Sequence, residues 1–513
     1  MRVLMLVSAI LCASVASAAD FYVDPVNGSA GGTGTLGDPW LTLQQVVTDN
    51  LIESREWDAY PYTTSSVLQP KNSGAPIKAG DTVWLRSGYH GELILNGYYN
   101  ASAITIRAEA GNTPELSRVS IIGASNWVLD GLSISPSHAA TYVQQTIITM
   151  RDDGFWGPAD QLTVRNCDVF NVDDASGWSA QDWIDNASTA FDVRSSYSDL
   201  IDNAVRNTRF AISVSGAHCN VRGNLVENFS GDGMRGLGDY DVFEYNIIKN
   251  GLDVGDGNHD DGFQSWSVGS GGVGTGSVYG LVLRGNTIIN HENPSHPLRT
   301  TLQGIGCFDG WFEDWVIENN VVITDHWHGI TLLGAKNCRI VNNTVIDLYT
   351  GTPGPSWIQV GHHKTLGPSE NCVIRNNLAN TISIPSGQVN ITEDHNIAVS
   401  NPSAFFVDPA NFDLHLLDTA AAIDAGSATL APLNDRDQIG RPYNGVVDIG
   451  AFEWHPAGWT GPPSGSSNGG GGDDGGGCTN RPGHGAFWLL ILGVIFGLAK
   501  SRLNAGLKRG RCT

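Results

Sequence analysis

Length, composition and charge already narrow what this chain can be. It has 513 residues, of which 29 are Lys or Arg and 52 are Asp or Glu, and its formal net charge is −23 at pH 7. Seven of the basic residues and none of the acidic ones lie outside residues 20–477, so this stretch has 22 basic against 52 acidic residues, a net charge of −30. A surface this acidic argues against nucleic acid as a partner, because phosphate contacts need basic side chains. The charged fraction of 16% and the 63 glycines favour short strands joined by tight turns.

Both ends of the chain have the pattern of targeting segments. Residues 1–19 combine Arg2, an apolar run and a small-residue stretch, which predicts a secretory signal peptide and export. Residues 457–477 are predicted as a Gly-rich linker, and residues 478–513 contain an apolar stretch from Ala486 to Ala499 before a basic end. That stretch is short for a transmembrane helix, which needs about 20 residues. The tail resembles the GlyGly-type sorting signals of Gram-negative bacteria, which implies delivery to the cell surface or outer membrane; the alternative is a plain membrane anchor.

A short phrase returns through the middle of the chain. Its form is hydrophobic-x-hydrophobic-x-x-Asn-x-hydrophobic, as in VLRGNTII. The repeated asparagines are Asn203, Asn224, Asn246, Asn286, Asn320, Asn343 and Asn377. The shortest spacings are 21 to 23 residues, and the spacings of 34 and 40 leave room for an inserted loop. A period this short, rich in Val and Ile and without helical periodicity, predicts a solenoid of stacked β-strands in which these asparagines form an internal ladder.

The segments that flank the repeats resemble parts of known exported proteins. The stretch FYVDPVNGSAGGTGTLGDPWLTLQQVV predicts a strand, a Gly-rich loop and a short amphipathic helix around Trp40–Val47 that covers the open first coil. This order resembles the start of right-handed β-helix proteins of the pectate-lyase-like superfamily. The resemblance implies an all-β fold, a right-handed parallel β-helix over residues 20–400 with an N-terminal capping helix. Residues 401–456, with Ala-Ile-Asp-Ala-Gly at 422–426, resemble the choice-of-anchor module and are predicted to form a C-terminal cap whose Asp residues fix turns.

A second strand follows the asparagine strand in each repeat, and its alternate residues must point outwards. The first predicted outward column is Ser213, Arg235, Gln264, Gly306, Thr331 and Gln359. The second predicted outward column is Ser215, Leu237, Trp266, Phe308, Leu333 and Gly361. The turn before these strands carries Asp232, Asp261, Gln303 and His328. Polar groups beside aromatic rings suit a sugar chain, whose rings stack on aromatics and whose hydroxyls bind planar amides. The alternative is that an inserted loop covers Trp266.

Four clusters on this face carry side chains suited to catalysis or binding. The predicted catalytic residues are His259, Asp260, Asp261, His326 and His328. The predicted substrate-binding residues are Asp232, Arg235, Gln264, Trp266, Phe308, Gln359, His362 and Lys364. Paired carboxylates suit acid/base work or calcium, so Asp260 and Asp261 are also the candidate Ca²⁺ ligands. Histidine transfers protons near neutral pH. The alternative for each cluster is a turn that satisfies its own backbone.

Family resemblance leaves the reaction open. The Asp-Asp and His-Gly clusters partly resemble polygalacturonase-type hydrolases, but the Arg-x-Lys of those enzymes is replaced here by Arg-Ile-Val at 339–341. Chondroitinase B-like and alginate lyases of this fold use a Lys/Arg pair and often Ca²⁺, and no such motif surrounds the lysines here. The first hypothesis is a monomeric, exported polysaccharide lyase that cleaves a uronate-containing polysaccharide by β-elimination. The alternatives are a glycoside hydrolase that uses Asp232, Asp260 and Asp261, and a glycan-binding adhesin without turnover.

Overall fold

The computed structural model describes residues 18–349 and 351–456. Most of the predicted signal peptide, the linker at 457–477 and the tail at 478–513 lie outside the described residues. The regular secondary structure of the described chain is almost entirely β-strand, with two short α-helices, Leu43–Thr48 and Ala180–Asn186. Three 3₁₀ turns occur at Pro136–His138, Pro402–Ala404 and Pro409–Asn411. The predicted fold class is confirmed: successive strands pair in parallel with the equivalent strands one coil later, which is the right-handed parallel β-helix.

Most coils of the helix contribute one strand to each of three faces. The front face, which the candidate site occupies, consists of Glu92–Ala108 and Arg118–Asp130 at their N-terminal halves, then Ile148–Arg151, Phe191–Val193, Ile212–Val214, Met234–Gly236, Asp261–Trp266, Gln303–Asp309, His328–Leu333, Trp357–Gly361 and Thr381–Ser383. The second face consists of Asp20–Val23, Thr82–Leu85, the C-terminal halves of Glu92–Ala108 and Arg118–Asp130, then Asp160–Arg165, Asp199–Ile201, Asn220–Arg222, Val242–Glu244, Val282–Arg284, Val316–Glu318, Arg339–Val341, Val373–Arg375 and Thr392–Asp394.

The third face is a separate 12-stranded sheet. Its strands are Gly88–Tyr89, Pro114–Leu116, Ser133–Ile134, Asp168–Phe170, Ala204–Thr208, Leu225–Phe229, Ile247–Gly251, Thr287–Ile289, Val321–Ile323, Thr344–Ile346, Leu378–Ala379 and Ile397–Ala398. The remaining strands lie in insertions and in the C-terminal segment: Ser54–Trp57, Leu68–Lys71, Val268–Gly269, Gly272–Val273, Ser277–Tyr279, Trp311–Glu313, Ala335–Lys336, Phe406–Asp408 and Asp413–Leu416. Insertions therefore emerge at the corners and leave the stacked faces regular.

The predicted asparagine ladder is confirmed at the corner between the second and third faces. Each side-chain amide donates to the amide oxygen of the next member, from Asn203 to Asn224 at 2.9 Å through Asn343 to Asn377 at 3.0 Å. One further member, Asn396, continues the ladder beyond the predicted set. The residue before each ladder asparagine has a positive φ: Asp202, Gly223, Tyr245, Gly285, Asn319, Asn342, Asn376 and His395. The chain therefore turns sharply at this corner, and the buried amides satisfy the backbone groups that the turn leaves unpaired.

The core is the interior of the coil, and the strand alternation places apolar side chains there. Ile212, Met234, Phe263, Ile305 and Ile330 succeed one another on the inner side of the front face, and all are buried. The five cysteines of the described chain are free and buried in the same interior. No helix among the described residues is long and apolar enough to span a membrane. Packing and ladder bonds inside the coil therefore hold the front face in a fixed register.

The two terminal segments cover the coil in different ways. The predicted capping helix forms at Leu43–Thr48, where Thr42 accepts the backbone N–H of Gln45 and Leu43 packs into the core. The predicted C-terminal cap at 401–456 packs along the flank of the third face, where Phe406 joins a cluster with Ile323 and Leu378. In that segment two carboxylates accept backbone N–H groups, as expected for side chains that fix turns. Asp435 accepts the N–H of Asp437, Ile439 and Glu453. Asp448 accepts the N–H of Asp424 and Trp454.

Candidate functional site

The registers of the front-face strands place the predicted outward column in line. Ser213 pairs with Arg235, Arg235 with Gln264, Gln264 with Gly306, Gly306 with Thr331, and Thr331 with Gln359. Neighbouring strands of a sheet lie roughly 4.8 Å apart, so these side chains form a continuous strip. The second predicted column is broken. An irregularity after Ser265 pairs Trp266 with Asp309 rather than setting it beside Phe308, because a bulge shifts the register by one residue.

Arg235 is held by a carboxylate beneath it. Its Nε donates to Oδ2 of Asp232 at 2.5 Å, and its guanidinium lies 3.8 Å from the centre of the Phe210 ring. The Asp232 side chain is fully buried, and burial raises its pKa while the facing Arg235 opposes the shift. Its Oδ1 accepts the backbone N–H of Asp261 at 3.2 Å. The Asp232 side chain therefore orients Arg235 from below, and its predicted role in substrate binding stays a prediction.

Asp261 and His259 form a hydrogen-bonded pair at the next strand. His259 Nδ1 lies 3.0 Å from Oδ2 of Asp261, and Gln264 Nε2 donates to the same oxygen at 2.8 Å. Burial raises the pKa of Asp261 to about 8, and the hydrogen bond to Asp261 raises the pKa of His259. The two groups share one proton. Because Oδ2 already accepts Gln264, we place that proton on Nδ1 of His259, which leaves Asp261 as the anion.

The exposures of this pair differ completely. The side chain of His259 is 60% exposed, whereas that of Asp261 is 0% exposed. Asp261 is covered because the insertion at 252–260 lays His259 over it. A buried carboxylate that fixes one ring nitrogen of an exposed imidazole leaves the other nitrogen, Nε2, directed at the groove.

Asp260 lies just before the strand Asp261–Trp266. Asn258 Nδ2 donates to its Oδ1 at 3.3 Å, and burial raises its pKa to about 7. Among the described residues, no group of three or more His, Cys, Asp or Glu side chains is arranged to hold a metal ion. Ca²⁺ takes six to eight oxygens, and these two carboxyl groups alone supply at most four. The site as placed does not fit calcium, and calcium binding at Asp260 and Asp261 stays a prediction.

A second oriented histidine lies two strands further along. His328 Nδ1 is 2.9 Å from Oγ1 of Thr331, and the same hydroxyl accepts Trp357 Nε1 at 3.0 Å. The ring of His326 stacks on His328 at 5.1 Å. Burial, with help from His326 and His259, lowers the pKa of His328 to about 4. His328 is therefore neutral near pH 7, whereas the pKa of His259 is shifted the other way.

The remaining predicted residues are spread along the strip. Trp266 is half-buried and lies 5.4 Å from the Arg235 guanidinium, so no loop covers it completely. Phe308 packs edge-on against His328 at 4.8 Å. Further along, three side chains are occupied by neighbours. Gln359 Nε2 donates to Ser383 at 3.1 Å, His362 Nδ1 lies 2.6 Å from Gln388 Nε2, and Lys364 pairs with Asp309 at 2.8 Å.

Four residues of the site were not among the predicted catalytic or substrate-binding residues. Thr331 and Trp357 orient His328, Trp327 lies beside it with 45% of its surface exposed, and Gln303 pairs with Asp261 in the strand register. Oδ1 of Asp261 and Oε1 of Gln303 are both buried without a hydrogen-bond partner in the described chain. A Cβ at Gly306 would lie 2.3 Å from the first and 3.1 Å from the second, so only glycine fits between them. The predicted turn column already aligned Gln303 with Asp261. A polar side chain at that position was the sequence signal that could have marked Gln303 as a site residue.

The comparisons with known proteins bear on the fold. No protein-family model matches the chain, and the search of curated proteins gave no match. The structure of XylC in complex with xylose aligns over 84% of this chain and 98% of its own, with a TM-score of 0.52 and 10% identity. Pectate lyase Pel9A aligns over 86% and 98%, with a TM-score of 0.42 and 12% identity. The A-module of mannuronan C-5 epimerase AlgE4 from Azotobacter vinelandii aligns over 61% and 84%, with a TM-score of 0.34 and 14% identity. At such identity, the XylC alignment shows a shared fold and leaves the reaction to be argued from the site.

The assembled site offers three chemical capacities on one strip. Arg235 presents a guanidinium whose two terminal nitrogens have no acceptor among the described residues, since only its Nε bonds to the protein. His259 and His328 are oriented imidazoles whose pKa values are displaced in opposite directions. Aromatic rings follow beyond them. This combination suits an anionic sugar that must lose one proton and gain another.

Proposed function

We propose that this protein is an exported, surface-associated polysaccharide lyase that cleaves a uronate-containing polysaccharide by β-elimination. The observation that carries the proposal is the position of Arg235 beside the His259–Asp261 pair. Gln264 joins them, since it is the strand neighbour of Arg235 and donates to Asp261. In a chain with so acidic a body, a cation held with its terminal nitrogens free is a specific arrangement for one carboxylate.

Arg235 supplies the first requirement of β-elimination. The guanidinium binds the carboxylate at C5 of the uronate with its two terminal nitrogens and stabilises the negative charge that develops when the C5 proton leaves. Asp232 and Phe210 fix its orientation, from Nε and from the flat face respectively. Because the cation is already fixed, it needs little reorganisation during the reaction and can stabilise the transition state more than the bound substrate.

His259 supplies the proton transfers. It lies against Gln264, the strand neighbour of Arg235, and its Nδ1 bonds to Asp261 at 3.0 Å. With the shared proton on Nδ1, Nε2 takes the C5 proton of the uronate and then donates it to the leaving O4. The C5–H and C4–O4 bonds break, a C4–C5 double bond forms, and the proton passes from C5 to O4.

The test is ultraviolet absorbance of the unsaturated product on a panel of uronate-containing polysaccharides. Arg235→Gln should lower kcat/KM by about 10²-fold or more, the scale of one lost charged transition-state contact. Arg194→Gln is the matched control, because Arg194 lies on the same face but is engaged by Asp192 through two nitrogens at 3.0 and 2.9 Å. Equal losses in both variants, or product without absorbance, would overturn the lyase assignment.

A glycoside hydrolase is the second candidate, and one observation favours it. Burial raises the pKa values of Asp260 and Asp261 to about 7 and about 8, the range of a carboxylic acid that donates a proton near neutral pH. Both carboxyl groups are buried in this conformation, so a hydrolase would need the loop at 252–260 to move before either could reach a glycosidic oxygen. New reducing ends without ultraviolet absorbance, abolished by Asp261→Asn, would identify this reaction.

A further inference from the structure

The segment that carries His259, residues 255–259, has little in its own backbone to hold it. Gly255 and Gly257 both have a positive φ, at 72° and 84°, and the space around both is open. Val254, just before the segment, is buried in an apolar cluster. Glycine leaves a chain more conformational freedom than any other residue. Side-chain contacts must therefore hold the His259 segment in place after Val254.

Asp256, between the two glycines, connects the segment to the coil through Arg209. Arg209 Nη2 donates to Oδ2 of Asp256 at 2.8 Å, and Oδ1 of Asp256 accepts the backbone N–H of Asn258 at 3.0 Å. The Asp256 side chain is only 13% exposed. Arg209 itself belongs to the regular coil, because its backbone N–H bonds to the Ser188 carbonyl at 2.9 Å. One carboxylate therefore joins the turn inside the segment to a fixed point on the coil.

The Phe210 ring links this contact to the cation of the site. The guanidinium of Arg235 lies 3.8 Å from the centre of the ring, and that of Arg209 lies 5.1 Å from it. A Cβ on Gly231 would lie 2.5 Å from the ring, so the ring packs directly on the next coil. Cations are attracted to the face of an aromatic ring. The turn at 209–210 therefore supports both Arg235 and the segment that carries His259.

Two further side-chain contacts of the segment with the coil are longer. Asn258 Nδ2 lies 3.5 Å from Oδ1 of Asp232, and His259 Nδ1 lies 3.0 Å from Oδ2 of Asp261. The Arg209 side chain is 41% exposed. An ion pair with one exposed partner changes an equilibrium by at most about fivefold. That is small against the stability of a coil with a continuous core, but it is comparable with the balance between closed and open states of a glycine-flanked segment.

We infer that Arg209 is a positioning residue that holds the His259 segment over the strip through Asp256. This inference rests on the proposed function, in which Nε2 of His259 carries the proton from C5 to O4. Arg209 acts through Asp256 and does no chemistry itself. Its loss should lower the fraction of protein in which the imidazole lies beside the bound uronate, while Arg235 keeps its own contacts. The expected result is therefore a lower kcat with little change in KM.

Hydrogen exchange followed by mass spectrometry tests the contact on the protein alone. Arg209→Gln should speed the exchange of the backbone N–H groups at 255–261 by about fivefold, the largest effect of such an ion pair. Arg209→Lys, which keeps the charge, should retain most of the protection. Arg206→Gln is the matched control, because Arg206 bonds to Asp173 at 2.9 Å and lies 3.9 Å from the Phe170 ring, but on the third face.

Turnover of the polysaccharide that the wild type cleaves completes the test. Arg209→Gln should lower kcat by about two- to fivefold at nearly constant KM, with no change in thermal unfolding, and Arg206→Gln should change neither constant. Unchanged exchange at 255–261 in Arg209→Gln, or faster exchange with unchanged kcat, overturns the inference. If exchange is faster but the wild type yields no unsaturated product from any polysaccharide of the panel, the lyase reaction is refuted while the role of Arg209 in holding the segment stands.

Discussion

Removing one interior amide of the asparagine ladder should destabilise the coil far more than removing its last one. Asn286 donates to the Phe243 carbonyl at 2.8 Å and to Oδ1 of Asn320 at 3.0 Å. Its own Oδ1 accepts the backbone N–H of Asn246 at 3.0 Å and the Asn246 amide at 2.9 Å. Asn286→Ala removes four hydrogen bonds in a buried place and leaves their partners without replacement. At about 1 kcal/mol for each bond, and more for stranded groups, the expected cost is about 4–6 kcal/mol.

The matched control is Asn396→Ala at the end of the ladder. Asn396 also accepts two bonds from Asn377, both at 2.9 Å, and donates to the Ile374 carbonyl at 2.9 Å. It is only partly buried, so water replaces some of these bonds and the expected cost is about 1–2 kcal/mol. Thermal unfolding followed by circular dichroism compares the two variants directly. If both unfold at the same temperature, the ladder is a consequence of the fold and not one of its supports.

The remaining predictions concern the site. Asp261→Asn should lower kcat by about 10²-fold and move the acidic limb of the pH profile to lower pH, because the carboxylate that raises the pKa of His259 is lost. His259→Ala should cost about 10²-fold in kcat with little change in thermal unfolding, since the side chain is 60% exposed. Activity of the wild type should rise with pH as His259 loses its proton, at a higher pH than for an ordinary histidine because its pKa is raised. Chelation with EDTA should leave turnover unchanged; a loss that added Ca²⁺ restores would instead support calcium binding.

The coil and its phase could be predicted from the sequence because both depend on short-range rules. A buried asparagine recurs wherever the chain turns at one corner, and strand alternation then decides which neighbours face inwards. Met234 and Phe263 follow this rule, and so do the outward Arg235 and Gln264. The bulge beside Trp266 did not follow from the pattern, since one extra residue in Gln303–Asp309 leaves no mark in the alternation.

The site was predicted less completely, because its key contacts depend on loops. His259 covers Asp261 through the insertion at 252–260, and a turn signal in sequence does not say which side chain an inserted loop will bury. In the sequence, Trp327 stands out only as part of a His-rich cluster. Its stacking contact is with Trp357, which lies on the neighbouring strand of the next coil. Such a contact needs the register as well as the residue types.

The ladder also explains how the coil can carry a site without being deformed by it. The coil from Asn246 to Asn286 spans 40 residues, and that from Asn203 to Asn224 spans 21, yet both close with amide bonds of 2.9 Å. The additional residues of the longer coil leave at the corners, including the insertion that carries His259 and the hairpin Val268–Val273. The loop-borne imidazole can therefore be positioned by Asp261, while Arg235 remains on the regular strand beside it. A change in loop length at this corner should alter the reaction or the substrate before it alters the stability of the coil.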